Sequence, residues 1–180
     1  MPVSHTLIAI FGVILAQASS EQTGADYYLD KLQTSQDEIE AARHERDVRD
    51  AWMDNGGPTV DILMERGMDA LEAEDIALAR DMFDRVILIE PEYAEAWAQR
   101  AKMFFADGKI DETIADLEAA IEREPRHFEA WEGLGGIFEL LENKPAALAA
   151  YREALIIHPF SKRAGNGVKR LERQVDGRAL

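Results

Sequence analysis

Apolar residues recur every three to four positions through most of the chain beyond residue 60, which is the spacing of one face of an α-helix. In the segment 110–124, that face carries Ile110, Ile114, Leu117 and Ile121. Gly108, just before it, suits the left-handed residue that closes a preceding helix, and Pro125 disfavours helix at the residue before it. The pattern therefore predicts two amphipathic helices, 94–106 and 110–124, joined by a short turn.

This helix pair recurs along the chain at an offset of 34 residues. Residues of matching type at that offset are Pro91, Pro125 and Pro159, then Trp97 and Trp131, and then Gly67, Ala101 and Gly135. The offset places three units within residues 58–161, namely 60–93, 94–127 and 128–161. In the third unit we expect Asn143 to be the left-handed residue and Pro145 to fall in the first turn of a helix, where a missing N–H costs little.

Small and bulky residues occupy fixed positions within each unit. Small residues stand at position 8 (Gly67, Ala101, Gly135), and mostly large ones at position 24 (Phe83, Leu117, Tyr151). With a bulky residue at position 4 and proline at position 32, the pattern resembles the tetratricopeptide repeat (TPR) family, in particular short secreted members from Gram-negative bacteria. The resemblance implies an all-α fold, a right-handed α-solenoid of three TPR helix pairs with helical N- and C-terminal caps.

One departure from the family pattern concerns charge inside a repeat. Position 7, usually leucine in the family, is Arg66 in the first unit and Arg100 in the second. Asp116 falls on the facing helix of the same unit as Arg100. We therefore expect a structural ion pair between Arg100 and Asp116 rather than a ligand site.

The segments on either side of the repeats are predicted to be helical caps. Residues 21–57 contain two helical stretches, 25–32 and 36–53, with Ser35 as N-cap and Glu38 at the capping-box position. An apolar stripe on the second stretch is formed by Ile39, Ala42, Val48 and Trp52. This pair is expected to cover the open face of the first repeat. Residues 162–180 predict a basic solvating helix whose buried side carries Val168, Leu171 and Val175.

The N-terminus carries an apolar run at residues 7–18, too short to span roughly 30 Å of hydrocarbon as a helix. Ala16 and Ala18 supply the small-x-small pattern of a cleavage site, and polar residues follow at once. Residues 1–20 therefore predict a signal peptide cleaved near Ala18 and a periplasmic or secreted protein. Because no Lys or Arg precedes the run, two alternatives remain: a membrane-tethered chain with a retained anchor, or a cytoplasmic protein with a wrongly assigned start.

Composition removes several classes of function. The net charge of −15 repels phosphate backbones, so nucleic acid is not an expected partner. The chain has no cysteine, which excludes disulfides, thiolate zinc sites and a catalytic thiol. The four histidines are scattered, and no nucleophile motif or phosphate loop is present. We expect no enzyme activity, no small-molecule substrate, no metal and no cofactor.

The resemblance implies that the first helices of the repeats line a concave, peptide-binding groove. The residues expected there share an acidic or apolar character: Met64, Glu65, Met68, Leu71, Glu95, Gln99, Lys102, Phe105, Glu132, Gly136 and Glu139. Because Lys102 is the only basic residue among them, the clamp with which chaperone-binding members hold a C-terminal carboxylate is not expected. An acidic surface with an apolar floor favours a basic, amphipathic partner segment. The basic C-terminal helix is a competing occupant of that surface.

The sequence therefore predicts a protein-binding scaffold of the cell envelope. The alternatives are a structural component that self-associates through its repeat ends, and a cytoplasmic TPR regulator if the N-terminus is not cleaved. No motif identifies the partner, which is expected to be another protein or peptide, and membrane contact is expected only through an uncleaved N-terminus.

Overall fold

A computed structural model of the protein describes residues 24–53 and 57–176, so the predicted signal peptide lies outside the described residues. Within these ranges the chain forms helices and no strand, which confirms the all-α fold class. The helices are α1 (Gly24–Gln33), α2 (Glu38–Met53), α3 (Pro58–Glu72), α4 (Ile76–Ile89), α5 (Ala94–Ala106), α6 (Ile110–Arg123), α7 (Phe128–Leu140), α8 (Lys144–Ile157) and α9 (Lys162–Asp176).

Three helix pairs, α3 with α4, α5 with α6 and α7 with α8, stack in chain order as a solenoid. Close approach within the first and third pairs depends on glycine at the eighth position of each unit. A Cβ on Gly67 would stand 2.6 Å from the Phe83 ring, and one on Gly135 would stand 2.6 Å from the Tyr151 ring. The small residue that the repeat pattern places at this position therefore lets the two helices of a pair lie close together.

The turn between the helices of each pair contains one left-handed residue. Gly108 has φ 73°, as expected. In the third pair, however, the left-handed residue is Glu142 (φ 58°), so the prediction of Asn143 was wrong by one position. Asn143 instead caps α8, because its short side chain reaches the backbone N–H of Ala146 at 3.3 Å.

The ion pair expected between Arg100 and Asp116 is confirmed. The guanidinium donates two hydrogen bonds to the Asp116 carboxylate, at 2.7 and 2.8 Å, and a third to Asp84 at 2.8 Å. It also lies over the rings of Trp97 and Phe104. These contacts give the second repeat a structural arginine that joins α5 to α4 and α6.

The N-terminal pair, α1 and α2, does not cover the open face of the first repeat as expected. It packs instead against the third repeat, because its apolar residues form one cluster with the start of α7 and the end of α8. The members of this cluster are Ala25, Leu29, Leu32, Ala41, Val48, Trp52, Phe128 and Ile157. The pair is called the N-terminal hairpin below.

Polar contacts hold the hairpin in the same place. Arg126 pairs with Asp30 of α1 at 2.8 Å, and His158 Nε2 lies 3.4 Å from Glu45 of α2. At the other end of α2, the Tyr93 hydroxyl donates to the carbonyl of Trp52 at 2.5 Å. The hairpin thus extends from the junction of the first two repeats to the third repeat.

Two details of α2 differ from the sequence prediction. Asp37 is the N-cap, accepting from the N–H groups of Ile39 and Glu40, whereas the Ser35 hydroxyl donates back to the Lys31 carbonyl of α1. In the apolar stripe, Val48 and Trp52 are buried, but Ile39 and Ala42 are exposed. The helix begins two residues later than predicted, and its buried side contains Ala41, Val48 and Trp52, which pack in the cluster shared with α7 and α8.

The last helix, α9, extends the solenoid by packing on α7 and α8. Leu171 is fully buried and Val168 is partly buried, while the side chain of Val175 lies outside the described part of the structure. Gly135 approaches the Cδ1–Cε1 edge of the Tyr151 ring and Gly167 approaches its Cδ2–Cε2 edge, so the tyrosine ring lies between α7 and α9. The basic helix therefore serves as a C-terminal packing element.

Two glycines of α9 offer a matched test of this packing. Gly167→Ala should lower the free energy of unfolding by about 1–3 kcal/mol, because its Cβ would overlap the Tyr151 ring. Gly165→Ala, two residues away, meets nothing within 4 Å and should raise it by about 0.5–1 kcal/mol through helix propensity. Urea unfolding followed by circular dichroism measures both, and equal effects would contradict the packing.

Candidate functional site

A groove of about 670 Å³ opens on the side of the solenoid formed by α5 and α7, with α6 beneath them. The N-terminal hairpin contributes Arg49 to one wall and α9 contributes Arg163 to another. The groove is therefore built by the second and third repeats together with both flanking segments.

The floor of the groove is apolar. Ala98, Ala101, Leu117, Ala130 and Ile137 form it, and all are buried. At its edge stand two large apolar side chains, Phe105 at the end of α5 and Leu140 at the end of α7, which are 50% and 61% exposed. Gly133 and Gly136 contribute no side chain to the α7 wall. Phe105 and Leu140 thus present exposed apolar side chains to a partner beside a floor of buried apolar residues.

Glu129 lies between two cations. Its carboxylate accepts from Arg49 at 2.5 Å and from Lys102 at 3.4 Å. Burial alone would raise the pKa of this carboxyl, but the charges of Lys102 and Arg49 outweigh it and hold the pKa below its ordinary value. Glu129 is therefore ionised and neutralised by its neighbours.

Glu132, one turn further along α7, has a pKa shifted in the opposite direction. Only 8% of it is exposed, and burial raises the pKa of its carboxyl, although a hydrogen bond from Ser161 and the charge of Arg163 oppose the shift. The Ser161 hydroxyl donates to this carboxylate and also accepts from the N–H of Ala164 at the start of α9. Glu132 thus anchors α9 to α7 from the groove wall.

Arg163 lies over the floor of the groove. Its Nη2 is 3.2 Å from the point where a Cβ on Gly136 would stand, so the absence of a side chain at position 136 makes room for the guanidinium. Among the described residues, no carboxylate lies within ion-pair distance of Arg163. Arg163 is therefore the groove cation that forms no direct ion pair with a described carboxylate, although its charge opposes the rise in the pKa of Glu132.

The residues expected in the groove divide into two groups. Lys102, Phe105, Glu132 and Gly136 line it. The others lie elsewhere: Met64 is fully buried, Met68 and Leu71 pack against the core of the first repeat, and Glu65 is exposed on α3.

The expectation of an acidic surface was wrong, because most of the carboxylates are engaged within the fold. Glu95 is buried and hydrogen-bonded by Gln99 at 2.5 Å and by His127 at 3.0 Å, and Gln99 is itself buried. Glu139 accepts two hydrogen bonds of 2.6 Å from Arg170 of α9, which hold its pKa below the ordinary value.

Arg49 and Arg163 are the site residues that sequence reasoning missed. Both lie outside the repeats, so the repeat pattern contains no signal for them. Their placement depends on how the flanking helices pack. For Arg49 the decisive contact lies three residues further along α2, where the Trp52 indole stacks on the fully buried His127 ring with centroids 4.2 Å apart.

His127 is held in one orientation by three elements. Its Nδ1 accepts from the N–H of Ala130 at 3.2 Å, so the proton lies on Nε2 and is donated to Glu95 at 3.0 Å. The ring thus caps α7, binds α5 and supports α2 through Trp52. This contact fixes the end of the hairpin that carries Arg49 into the groove.

In the part of the chain that the structure describes, no three His, Asp or Glu side chains converge as a metal site requires. No helix there is both long and apolar enough to cross a bilayer.

Comparison with known proteins agrees with this architecture. The tetratricopeptide repeat family model matches residues 64–115 and 99–162. A TPR repeat-containing protein of Rhizobium etli is 30% identical over 160 residues, which cover 89% of this chain and 78% of the relative.

Among solved structures, the first TPR domain of Spaghetti (RPAP3) bound to an HSP90 peptide has a TM-score of 0.61 at 18% identity, covering 65% of this chain and 93% of that one. The TPR2B domain of yeast Sti1 in complex with an Hsp70 peptide has a TM-score of 0.58 at 19% identity, covering 64% and 97%. The stacked pairs thus place the chain in the α-solenoid class of repeat proteins. The chain belongs to the tetratricopeptide repeat family.

The opposite pKa shifts of two glutamates on α7 predict opposite pH effects on stability. Glu132 has a raised pKa in the folded state, so its contribution to stability is present below the ordinary value of 4.5 and is lost as pH rises through the folded pKa. Glu132→Gln should therefore equal or exceed the wild type in stability at neutral pH and lose that advantage in acid.

Glu139 is the control of opposite sign. Its lowered pKa means that its contribution is present above the ordinary value and is lost as pH falls through the folded pKa. Glu139→Gln should therefore be less stable than the wild type at neutral pH, with the difference shrinking in acid. Urea unfolding from neutral pH to about pH 3 measures both profiles, and parallel profiles would contradict the assignment.

Proposed function

We propose that this protein is a non-catalytic interaction module that binds a segment of another protein in the groove between α5 and α7. The observation that carries the proposal is the pair of exposed apolar side chains, Phe105 and Leu140, beside an open apolar floor. Contiguous apolar surface rimmed by polar groups is typical of sites where proteins bind other chains. The partner segment that fits this surface is amphipathic and inserts an apolar anchor between the two side chains.

The related folds support this mode of binding. The TPR domains of Spaghetti and Sti1 are each described in complex with a chaperone peptide, and both share the fold of this chain. At 18% and 19% identity the likeness extends to the fold alone, so the partner of this protein is not inferred from theirs. The groove here also has walls from α2 and α9, which gives it charged residues of its own.

Phe105 is the residue whose change tests the proposal most directly. Short amphipathic peptides selected by display against the full chain should bind Phe105→Ala at least about 10-fold more weakly than the wild type, because the change removes an apolar anchor. Fluorescence anisotropy measures the affinities. Leu88→Ala is the matched control, since Leu88 is 83% exposed on α4 and does not line the groove.

Leu88→Ala is expected to change the affinity less than about 2-fold. If Phe105→Ala and Leu88→Ala both bind the selected peptides like the wild type, the concave groove is not the binding site.

We also propose that the protein acts as a scaffold in the cell envelope. The support is the apolar run at residues 7–18 with the small residues Ala16 and Ala18 at its end. Mature protein isolated from its host should therefore begin near Ser19. Terminal sequencing measures this, and an intact Met1 would instead favour the cytoplasmic or tethered alternative.

A further inference from the structure

Cations line the groove, although the chain as a whole is strongly negative. The full sequence carries a net charge of −15, yet the groove is lined by three cations, Arg49, Lys102 and Arg163, and by two carboxylates. Two of these cations, Arg49 and Arg163, come from the flanking helices α2 and α9. Arg49 is paired with Glu45 as well as with Glu129, and Lys102 is paired with Glu129, so Arg163 is the lining cation that has no ion pair among the described residues.

Both carboxylates are engaged by neighbouring residues. Glu129 is bound by Arg49 and Lys102, which leaves it no unpaired charge to offer. Glu132 is nearly buried and accepts the hydroxyl hydrogen of Ser161. Neither group is therefore positioned to pair with a basic side chain of a partner.

Arg163, by contrast, is not engaged in an ion pair by any charged side chain that the structure describes. It is exposed, lies over Gly136 beside the apolar floor, and has no ion-pair partner among the described side chains. A guanidinium in this state gains most from a planar carboxylate, which accepts two parallel N–H bonds. The surrounding wall excludes part of the solvent, so such a pair is screened less than one on an open surface.

We propose that the groove recognises an acidic, amphipathic segment, in which a side-chain carboxylate pairs with Arg163 while a neighbouring apolar residue rests between Phe105 and Leu140. This inference rests on the proposed function, because it names the partner chemistry of the same groove. The sequence predicts a basic partner segment, whereas this inference names an acidic one.

The net negative charge of the protein does not override this local preference. Exposed charges further apart than about 8 Å are largely screened at physiological ionic strength, so distant carboxylates act weakly on a bound segment. Of the three cations that line the groove, Arg163 is the one that no described carboxylate approaches within ion-pair distance. Long-range repulsion slows the approach of an acidic segment, and the direct pair with Arg163 acts on its dissociation.

Three designed peptides test whether the groove prefers an acidic, a neutral or a basic segment. Each has one leucine as anchor and an amidated C-terminus, and they differ only in flanking residues, which are glutamate, glutamine or lysine. They are titrated into the isotope-labelled full chain at physiological ionic strength, and amide shifts of groove residues report binding. We expect the glutamate peptide to bind at least about 10-fold more tightly than the lysine peptide.

Two variants test whether Arg163 is responsible for the preference for the glutamate peptide. Arg163→Gln should weaken the glutamate peptide about 10-fold and leave the glutamine peptide unchanged, because it removes only the charge. Arg173→Gln is the control, since Arg173 lies exposed on the same helix, bonds only the Lys169 carbonyl among the described groups, and does not line the groove. Arg173→Gln should leave both affinities unchanged.

The outcomes distinguish this inference from the proposed function. Tighter binding of the lysine peptide, or no effect of Arg163→Gln on the glutamate peptide, overturns the acidic partner while leaving a peptide groove in place. If no peptide binds in a manner sensitive to Phe105→Ala, the proposed function itself fails. The glutamate peptide is also titrated with a free C-terminal carboxylate, and binding by this form alone would overturn the assignment to a side chain.

Discussion

The structure depends first on the contact of an aromatic ring with a bare backbone inside a helix pair. Gly67 admits the ring of Phe83, and Gly135 admits that of Tyr151, at distances that no side chain would permit. This contact sets how closely the two helices of a pair lie, and stacking pairs of fixed spacing curves the solenoid. The groove is the inner side of that curve. Its floor can therefore be formed by small residues such as Ala98 and Ala101, because bulky ones already fill the interior of each pair.

The flanking helices complete the packing of the repeats and the walls of the groove. A solenoid of three pairs leaves apolar faces at its ends, and α9 covers one of them by accepting Tyr151 against Gly167. The N-terminal hairpin instead packs against the start of α7 and the end of α8, and its Trp52 stacks on His127. Each flank brings a cation to the groove as a by-product of its own packing. The charge of the site is thus a tertiary property, fixed by where two helices outside the repeats come to lie.

The repeats could be predicted well from sequence because their signal is periodic and local. The offset of Pro91, Pro125 and Pro159 follows from turns that recur in every unit, and Gly108 was identified because its left-handed backbone favours glycine. Glu142 was missed because Asn is the more usual left-handed residue, and because Asn143 is also a good helix cap. The charge of the groove could not be predicted. Whether Glu95 faces solvent or His127 depends on long-range packing, and no periodic pattern encodes it.

The placement of the hairpin also bears on the order in which the chain becomes ordered. In most repeat proteins each repeat contacts only the repeats next to it. Folding can therefore begin at any helix pair and continue to the adjacent pairs. Here Gln33 of α1 donates a hydrogen bond to the carbonyl of Ile156, which lies 123 positions away in sequence. Phe128 and Ile157 must be in place before the hairpin has a surface to pack on. The N-terminal hairpin therefore docks only after the third repeat has formed, although it precedes the repeats in the chain, and its docking adds contacts between segments that are far apart in sequence.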